Sequence, residues 1–135
     1  MMALINQGTA LHVTLQGVKT RLGLLRSVSE LKLDSDMVDV TTLDAPGGFR
    51  MYAQGLKSVG DLTVDGYLSR EENSQQVLRD MFLSGAQGQF EISFPDGETC
   101  TFTALCKSVS LGGGEVDAVS RFSAVLKITG EVQFS

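Results

Sequence analysis

The sequence predicts a mainly β fold, a β-sandwich or barrel with one flanking α-helix at about residues 71–84. Most of the chain of 135 residues alternates apolar and polar side chains with a period of two, which is typical of strands. Only one segment has clear helical spacing, and turn-forming residues separate the others. No linker or repeat divides the chain, so residues 1–135 are expected to form a single domain.

The region before the predicted helix is a series of short strand-like segments. Residues 10–18 alternate cleanly, and residues 37–43 are rich in Val and Thr. Residues 49–56 and 59–68 are further predicted strands. Residues 22–33 fit a strand face and a helix face about equally well, and both alternatives stay open there.

The helix is predicted from its two ends and its apolar stripe. Ser69 and Glu72 have the spacing of a capping box, in which each side chain binds a main-chain amide of the other residue. Gly85 supplies a left-handed stop. Between them, one stripe of apolar residues at helical spacing is expected to pack in the core: Val77, Leu78, Met81 and Phe82.

The region after the helix predicts a hairpin and a long final strand. Residues 89–94 alternate, Pro95–Gly97 form a turn, and residues 99–106 return with small and apolar side chains inward. The last strand is expected at about residues 119–133.

The two cysteines, Cys100 and Cys106, fall on one predicted strand, about 20 Å apart. A disulfide needs Cα atoms within about 7 Å, so we expect two free, buried and inert thiols.

No pattern of catalytic or ligand-binding residues emerges, and neither a cofactor nor a metal is expected. The only histidine, His12, lies on an outward strand face with no nucleophile motif to serve. The Gly112–Gly114 run lacks the following helix and lysine of a phosphate loop. A loose acidic run lacks the glycine and glutamate of a calcium loop: Asp34, Asp36 and Asp39.

Charge argues against tight binding of nucleic acid. The net charge is −5, and the 11 Lys and Arg residues are scattered with no two adjacent. One predicted strand carries a polar, acidic face made of Asp61, Thr63 and Asp65.

The N-terminus carries neither a positive charge nor an apolar core segment, so no secretory signal is predicted and the protein is expected in the cytoplasm of the cell that makes it. Residues 1–8 are expected to form a flexible arm. No apolar run is long enough to cross a membrane.

Residues 20–133 resemble the major tail (tail tube) proteins of long-tailed bacteriophages. The first half of the resemblance is MVDVTTLDAPGGFRMYAQGLKSVGDLTVDGYLSREENSQQVLRDMFLSG, which holds a V-D-V-T strand, an acidic-Pro-Gly-Gly turn, a G-L-K-x-x-G stretch and the capped helix. The second half is FEISFPDGETCTFTALCKSVSL followed by RFSAVLKITGEV. The ordered series of these motifs carries the resemblance.

The resemblance implies a subunit that forms hexameric rings, stacked as a tail tube that conducts genomic DNA into the host. The implied partners are further copies of itself and the tape-measure, tail-terminator and distal tail or baseplate proteins, with double-stranded DNA only in passing. The implied locations are the virion tail and, during assembly, the host cytoplasm.

One loop has the composition of a docking arm between rings. Pro46, Gly47 and Gly48 interrupt regular structure, and large apolar residues follow at once. The predicted protruding loop spans residues 44–52, and its candidate contact residues are Asp44, Pro46, Gly47, Gly48, Phe49, Arg50, Met51 and Tyr52.

Two other kinds of protein remain as alternatives. A secretion-system or contractile-tail tube subunit would have the same fold. A small β-sandwich module that binds a ligand such as carbohydrate is a different class, but it usually displays aromatic platforms, and this chain has no Trp and two Tyr. An enzyme is the least favoured reading.

Overall fold

The structure, a computed structural model, describes residues 8–69, 71–113 and 119–135, and in those residues it contains nine strands and one α-helix. The mainly β fold with a single helix is therefore confirmed. The flexible arm expected at residues 1–8 lies outside the described residues except for Gly8. The elements are β1 (Ala10–Leu15), β2 (Val18–Arg21), β3 (Leu25–Val28), β4 (Leu33–Asp39), β5 (Tyr52–Val59), β6 (Leu62–Tyr67), α1 (Asn73–Ser84), β7 (Gln87–Ser93), β8 (Thr99–Leu111) and β9 (Arg121–Phe134).

Two sheets account for all nine strands. Seven strands form one antiparallel sheet in the order β2-β1-β7-β8-β9-β6-β3, and β4 and β5 form a separate two-stranded sheet. The edge strands β2 and β3 are consecutive in the chain, with only Leu22–Leu24 between them. A flat sheet would hold those edges about 29 Å apart, whereas this link spans at most about 14 Å. The seven-stranded sheet must therefore curl on itself.

The Leu22–Leu24 corner is bonded to three different parts of the molecule. The amide of Leu22 donates to the carbonyl of Leu11 at 2.8 Å, and the amide of Tyr67 donates to the carbonyl of Leu24 at 3.1 Å. The amide of Gly23 donates to the hydroxyl of Ser74 at 3.3 Å, at the start of the helix. The corner thus ties β1, the end of β6 and α1 together.

The core fills the concave side of the curled sheet. Phe90 of β7 lies opposite Phe102 of β8, and their rings stack with centroids 5.7 Å apart. Cys100 and Cys106 are buried free thiols, and burial raises the pKa of Cys106 to about 11. The remaining apolar core residues are Leu11, Val13, Leu22, Leu62, Val64, Leu78, Met81, Ile92, Ala104, Phe122, Ala124, Leu126 and Ile128.

The helix begins later than the sequence predicts and without the predicted capping box. Its N-cap residue is Glu72, which makes no side-chain cap bond. The amide of Ser69 donates instead to the Gln75 side-chain oxygen at 3.0 Å, and the Gln75 amide group donates to the Tyr67 carbonyl at 2.6 Å. Gln75 ties the incoming chain to the helix, and this replaces the expected cap. The C-terminal stop is at Gly85, in the left-handed conformation.

The apolar stripe of the helix is narrower than the sequence suggests. Leu78 and Met81 are fully buried and Val77 is half-buried, but Phe82 is 48% exposed, so its assignment to the core is wrong. The cause lies on the sheet: a Cβ atom at Gly88 would come within 2.7 Å of Met81 Cε. The hollow at Gly88 receives Met81, and this orients the helix so that Phe82 points away from the core.

Strand boundaries also differ from the predictions. The ambiguous segment 22–33 contains the corner and β3, not a helix. Residues 37–43 were predicted as a strand, but β4 runs from Leu33 to Asp39, about four residues earlier. The predicted strand at residues 10–18 is β1 and the turn into β2.

Strands β3 to β6 form one long ribbon that leaves the curled sheet. Val28 pairs with Val64 and Leu33 pairs with Val59, which is the same register on both sides of the break between the two sheets. Main-chain bonds bridge that break: the amide of Gly60 donates to the carbonyl of Lys32 at 2.9 Å. The β4–β5 hairpin is therefore the outer half of a continuous ribbon.

In the part of the chain that the structure describes, there is no helix of the length and apolarity needed to span a membrane.

Gly66→Ala should destabilise the subunit, because a Cβ atom there would overlap the carbonyl oxygen of Leu24. The overlap is with backbone, so we expect a loss of unfolding free energy at the upper end of the roughly 1–3 kcal/mol that overpacking costs. Gly60→Ala is the matched control, since its Cβ would meet Lys32 Cβ at an ordinary 3.5 Å. Equal urea midpoints for the two variants would contradict the close approach at the corner.

Leu78→Ala and Phe82→Ala should separate the buried and exposed sides of α1. The buried leucine should cost about 2–5 kcal/mol on truncation, because a cavity remains. The exposed phenylalanine should cost less than about 1 kcal/mol. Urea unfolding of both variants measures the difference, and a larger loss for Phe82→Ala would show that the helix is rotated from the orientation described.

Candidate assembly surface

The β4–β5 hairpin, residues 33–59, projects from the curled sheet with large apolar side chains uncovered. Phe49 is 76% exposed and Leu56 is 82% exposed. Two-stranded hairpins are marginally stable alone, and apolar surface of this extent on a folded protein usually marks an interaction site. The exposed large apolar residues of the hairpin are Leu33, Met37, Val38, Val40, Leu43, Phe49, Met51, Tyr52 and Leu56.

The tip of the hairpin contains the loop that the sequence analysis singled out. The amides of Gly48 and Phe49 donate to the carbonyls of Ala45 and Pro46, which makes two overlapping tight turns, with Gly47 at φ 66° and Gly48 at φ 75°. Both glycines occupy the left-handed region that other residues rarely adopt. The loop therefore has a defined turn, where the composition had suggested only an interruption of regular structure.

Polar contacts hold the base of this loop. The amide of Met51 donates to the hydroxyl of Thr41 at 2.7 Å, and the amide of Thr41 donates to an Asp39 carboxylate oxygen at 2.9 Å. The hydrogen bonds from Thr41 lower the pKa of Asp39, and the Arg50 guanidinium lies 3.7 Å from the same carboxylate. These contacts extend the strand pairing beyond Asp39 and present the tip as an ordered shape.

Sequence reasoning found the tip and missed most of the apolar surface beneath it. Met37 and Val38 are adjacent on one strand, so they point to opposite faces of the ribbon, yet both are exposed. A strand with apolar side chains on both faces is normally read as buried on both faces. Here the signal indicates a ribbon that needs partners on both sides.

The polar face made of Asp61, Thr63 and Asp65 is the candidate lumen face, meaning the inner wall of the tube that the tail tube resemblance implies. It lies elsewhere, on the outer side of the seven-stranded sheet. Asp61 immediately precedes β6, and Thr63 and Asp65 alternate with the buried Leu62 and Val64. The sheet therefore presents these three residues on the side opposite the core.

Two lysines that the sequence analysis overlooked lie against Asp61. Lys107 Nζ is 3.0 Å from Asp61 Oδ2, and Lys127 Nζ is 3.5 Å from Asp61 Oδ1. The hydrogen bond from Lys107 is the main cause of the lowered pKa of Asp61, with Lys127 contributing, while burial opposes both. The face is charge-paired at this point, where the sequence suggested plain acidity. Lys107 lies 46 positions and Lys127 lies 66 positions after Asp61, so the local sequence gives no signal of this pairing.

The sequence of the chain matches the model of a known family, described as lambda phage tail tube protein, over residues 6–133. The chain belongs to the lambda phage tail tube protein family. A comparison with curated proteins finds no significant match.

Solved structures with this tail tube fold come from several kinds of particle. The tail of an empty gene transfer agent particle, refined with C6 symmetry, has a TM-score of 0.79 at 19% identity, covering 98% of this chain and 99% of that one. The SPP1 tail tube has a TM-score of 0.71 at 15% identity, covering 95% and 77%. A chain of the anti-feeding prophage baseplate has a TM-score of 0.79 at 9% identity, covering 100% and 97%. At these identities the likeness is one of fold.

The other titratable groups of this tail tube protein form no cluster of possible metal ligands within the described ranges. Within residues 8–69, 71–113 and 119–135, no three His, Cys, Asp or Glu side chains are grouped closely enough to hold a metal ion. His12 is half-buried on β1, and in the strand register it lies opposite Arg21 of β2 and Glu91 of β7.

Proposed function

We propose that this tail tube family member assembles into hexameric rings that stack into a tube, through which genomic DNA passes into the host. The observation that carries the proposal is the uncovered apolar hairpin, residues 33–59, on a chain of this family. The C6 symmetry of the gene transfer agent tail supports a ring of six. The role is structural, with no catalytic step assigned to any residue.

The partner proposed for the hairpin is a second copy of the same chain. A head-to-tail contact between a hairpin and a different surface of the next subunit closes into a ring when the rotation is right. Such a contact also covers the unpaired edges of β4 and β5, which otherwise offer backbone groups to any strand. Apolar side chains on both faces of the ribbon fit a position between two neighbours.

The loop at residues 44–52 is proposed to contact the next ring in the stack. It is the part of the ribbon furthest from the curled sheet, and Leu43 and Phe49 flank its turn with exposed apolar surface. The ordered hydrogen bonds at its base support a preformed docking surface, which reduces the entropy cost of association.

The proposed locations and partners follow from the tube. The subunit belongs in the virion tail and is made in the host cytoplasm. The ends of the tube need other proteins, and we assign these roles to tail-terminator and distal tail or baseplate proteins; a tape-measure protein is a further proposed partner. Neighbours of the same fold occur in a tube-terminating cap and in a baseplate of the anti-feeding prophage.

A contractile tube is the second candidate. The fold also matches a chain of the sheath-tube complex of an extracellular contractile injection system, with a TM-score of 0.69 at 11% identity. A contractile tube carries a sheath on its outer surface. Purified particles that contain a sheath protein around this chain would decide for the contractile alternative.

Replacing residues 45–51 with a short Gly/Ser linker should give a folded subunit that no longer forms tubes. All the residues removed except Ala45 are exposed, so unfolding free energy should change little, while the proposed contact between rings is lost. Negative-stain microscopy of concentrated protein measures tube formation. A matched pair of point variants sharpens the test: Phe49→Ser should reduce tubes, whereas Val18→Ser, at an exposed apolar residue outside the hairpin, should not. Tubes at the normal rate from the linker variant would overturn the assignment.

The assembled tube should bind double-stranded DNA negligibly at about 150 mM salt. Affinity for duplex DNA depends mainly on Lys and Arg that neutralise phosphates. Six copies with a net charge of −5 each would carry −30 per ring. Fluorescence anisotropy with a labelled duplex tests this, with free subunit as the control. Tight binding that weakens steeply with added salt would rule out a passive conduit.

A further inference from the structure

Three charged side chains meet on the outer face of the seven-stranded sheet, two of them from strands and one from the residue that precedes a strand. Asp61 precedes β6, Lys127 belongs to β9, and Lys107 belongs to β8; these strands are adjacent in the sheet. The contacts between the carboxylate and the two ammonium groups are 3.0 Å and 3.5 Å long. The Asp61 carboxylate thus forms ion pairs with two lysines.

The backbone is arranged to bring Lys107 into this group. The pairing of β8 with β9 shifts between Cys106 and Ser108, which leaves Lys107 as an extra residue in β8. A bulge of this kind bends the strand and redirects a side chain. Lys127 needs no such device, because Leu62 pairs with Leu126 and so places Asp61 and Lys127 side by side.

The geometry restrains the lysines although they remain in contact with solvent. The Lys107 and Lys127 side chains are each 59% exposed, whereas the Asp61 side chain is 28% exposed and its Oδ1 atom is buried. Asp61 is therefore the fixed member and the ammonium groups are drawn to it. Without its charge, two like charges would be left close together on an accessible surface, where they repel each other and attract an anion.

We propose that Asp61 prevents this face from binding DNA by occupying Lys107 and Lys127, which would otherwise contact backbone phosphates. The proposal rests on the proposed function as a DNA conduit and specifies which residue keeps the passage non-adhesive. In a ring of six, loss of Asp61 would release two lysines per subunit at six equivalent places. The proposal places this sheet face on the wall of the conduit, where local pairing would keep the two lysines from holding DNA in addition to the effect of the net charge.

The test compares two variants with the same change in net charge. Asp61→Asn removes the carboxylate beside two lysines. Glu91→Gln removes a carboxylate beside one lysine, Lys19, at 3.5 Å on another part of the sheet. Each should be checked for folding by thermal melting, and Asp61→Ser provides a second route to the same loss if the amide disturbs the strand.

Anisotropy with a short labelled duplex at 50 to 200 mM salt gives the readout on free subunits and on tubes. We expect Asp61→Asn to raise affinity by about tenfold or more over wild type at the lowest salt, with a log–log salt slope on the free subunit near −1.8, the value for about two phosphates. Adding Lys107→Gln and Lys127→Gln to the same chain should return binding to the wild-type level. Glu91→Gln should stay near wild type.

The outcomes separate this inference from the proposed function. If Asp61→Asn and Asp61→Ser bind DNA no more tightly than Glu91→Gln, or if removing both lysines leaves the gain in place, the role of Asp61 is wrong. Ring and tube formation by wild-type protein is scored independently by negative-stain microscopy. Failure to form rings or tubes would overturn the proposed function, whatever the DNA titrations give.

Discussion

The three-residue corner Leu22–Leu24 is the constraint on which the rest of the structure depends. It joins the two edge strands of a seven-stranded sheet. In a flat sheet these edges would be too far apart for a three-residue link, and so the sheet has to curl. Once curled, its concave side can enclose a core with a single helix over it. The corner can approach β6 only because residue 66 is glycine, since any side chain there would meet the Leu24 carbonyl. On the helix side, the hydroxyl of Ser74 accepts a hydrogen bond from the corner. The corner therefore closes the sheet and also holds the start of the helix.

Much of the fold could be predicted from local pattern, and the misses share a physical cause. The strand faces of β6 and β8 and the stop at Gly85 depend on neighbours in sequence, which periodicity reports. The prediction of a capping box was wrong because Gln75, within the helix, binds the main chain at Tyr67, at the end of the preceding strand. The assignment of Phe82 to the core was wrong because a hollow at Gly88 orients the helix. Gly88 lies on a different element, so the spacing of apolar residues within the helix carries no information about it.

The candidate site divides in the same way. The tip of the hairpin was predictable, since Pro and Gly beside aromatic and aliphatic residues are a local signal. The rest of its apolar surface could not be predicted. The sequence pattern of a strand such as β4 is the same whether its two faces are covered by its own chain or by other chains. The charge pairing at Asp61 was hidden for a different reason: its two lysines come from distant strands, and one of them depends on a bulge.

The shared register of the long ribbon has a consequence for how such arms can vary in length. The strand register is the same on both sides of the break between the sheets. A single residue inserted in either strand would therefore turn every later side chain to the opposite face. Changes that preserve both faces must come as two residues in each strand, or be absorbed at the irregularity between Ser35 and Met37. Natural variation in the reach of this arm is therefore expected in steps of about 7 Å, set by two residues of strand.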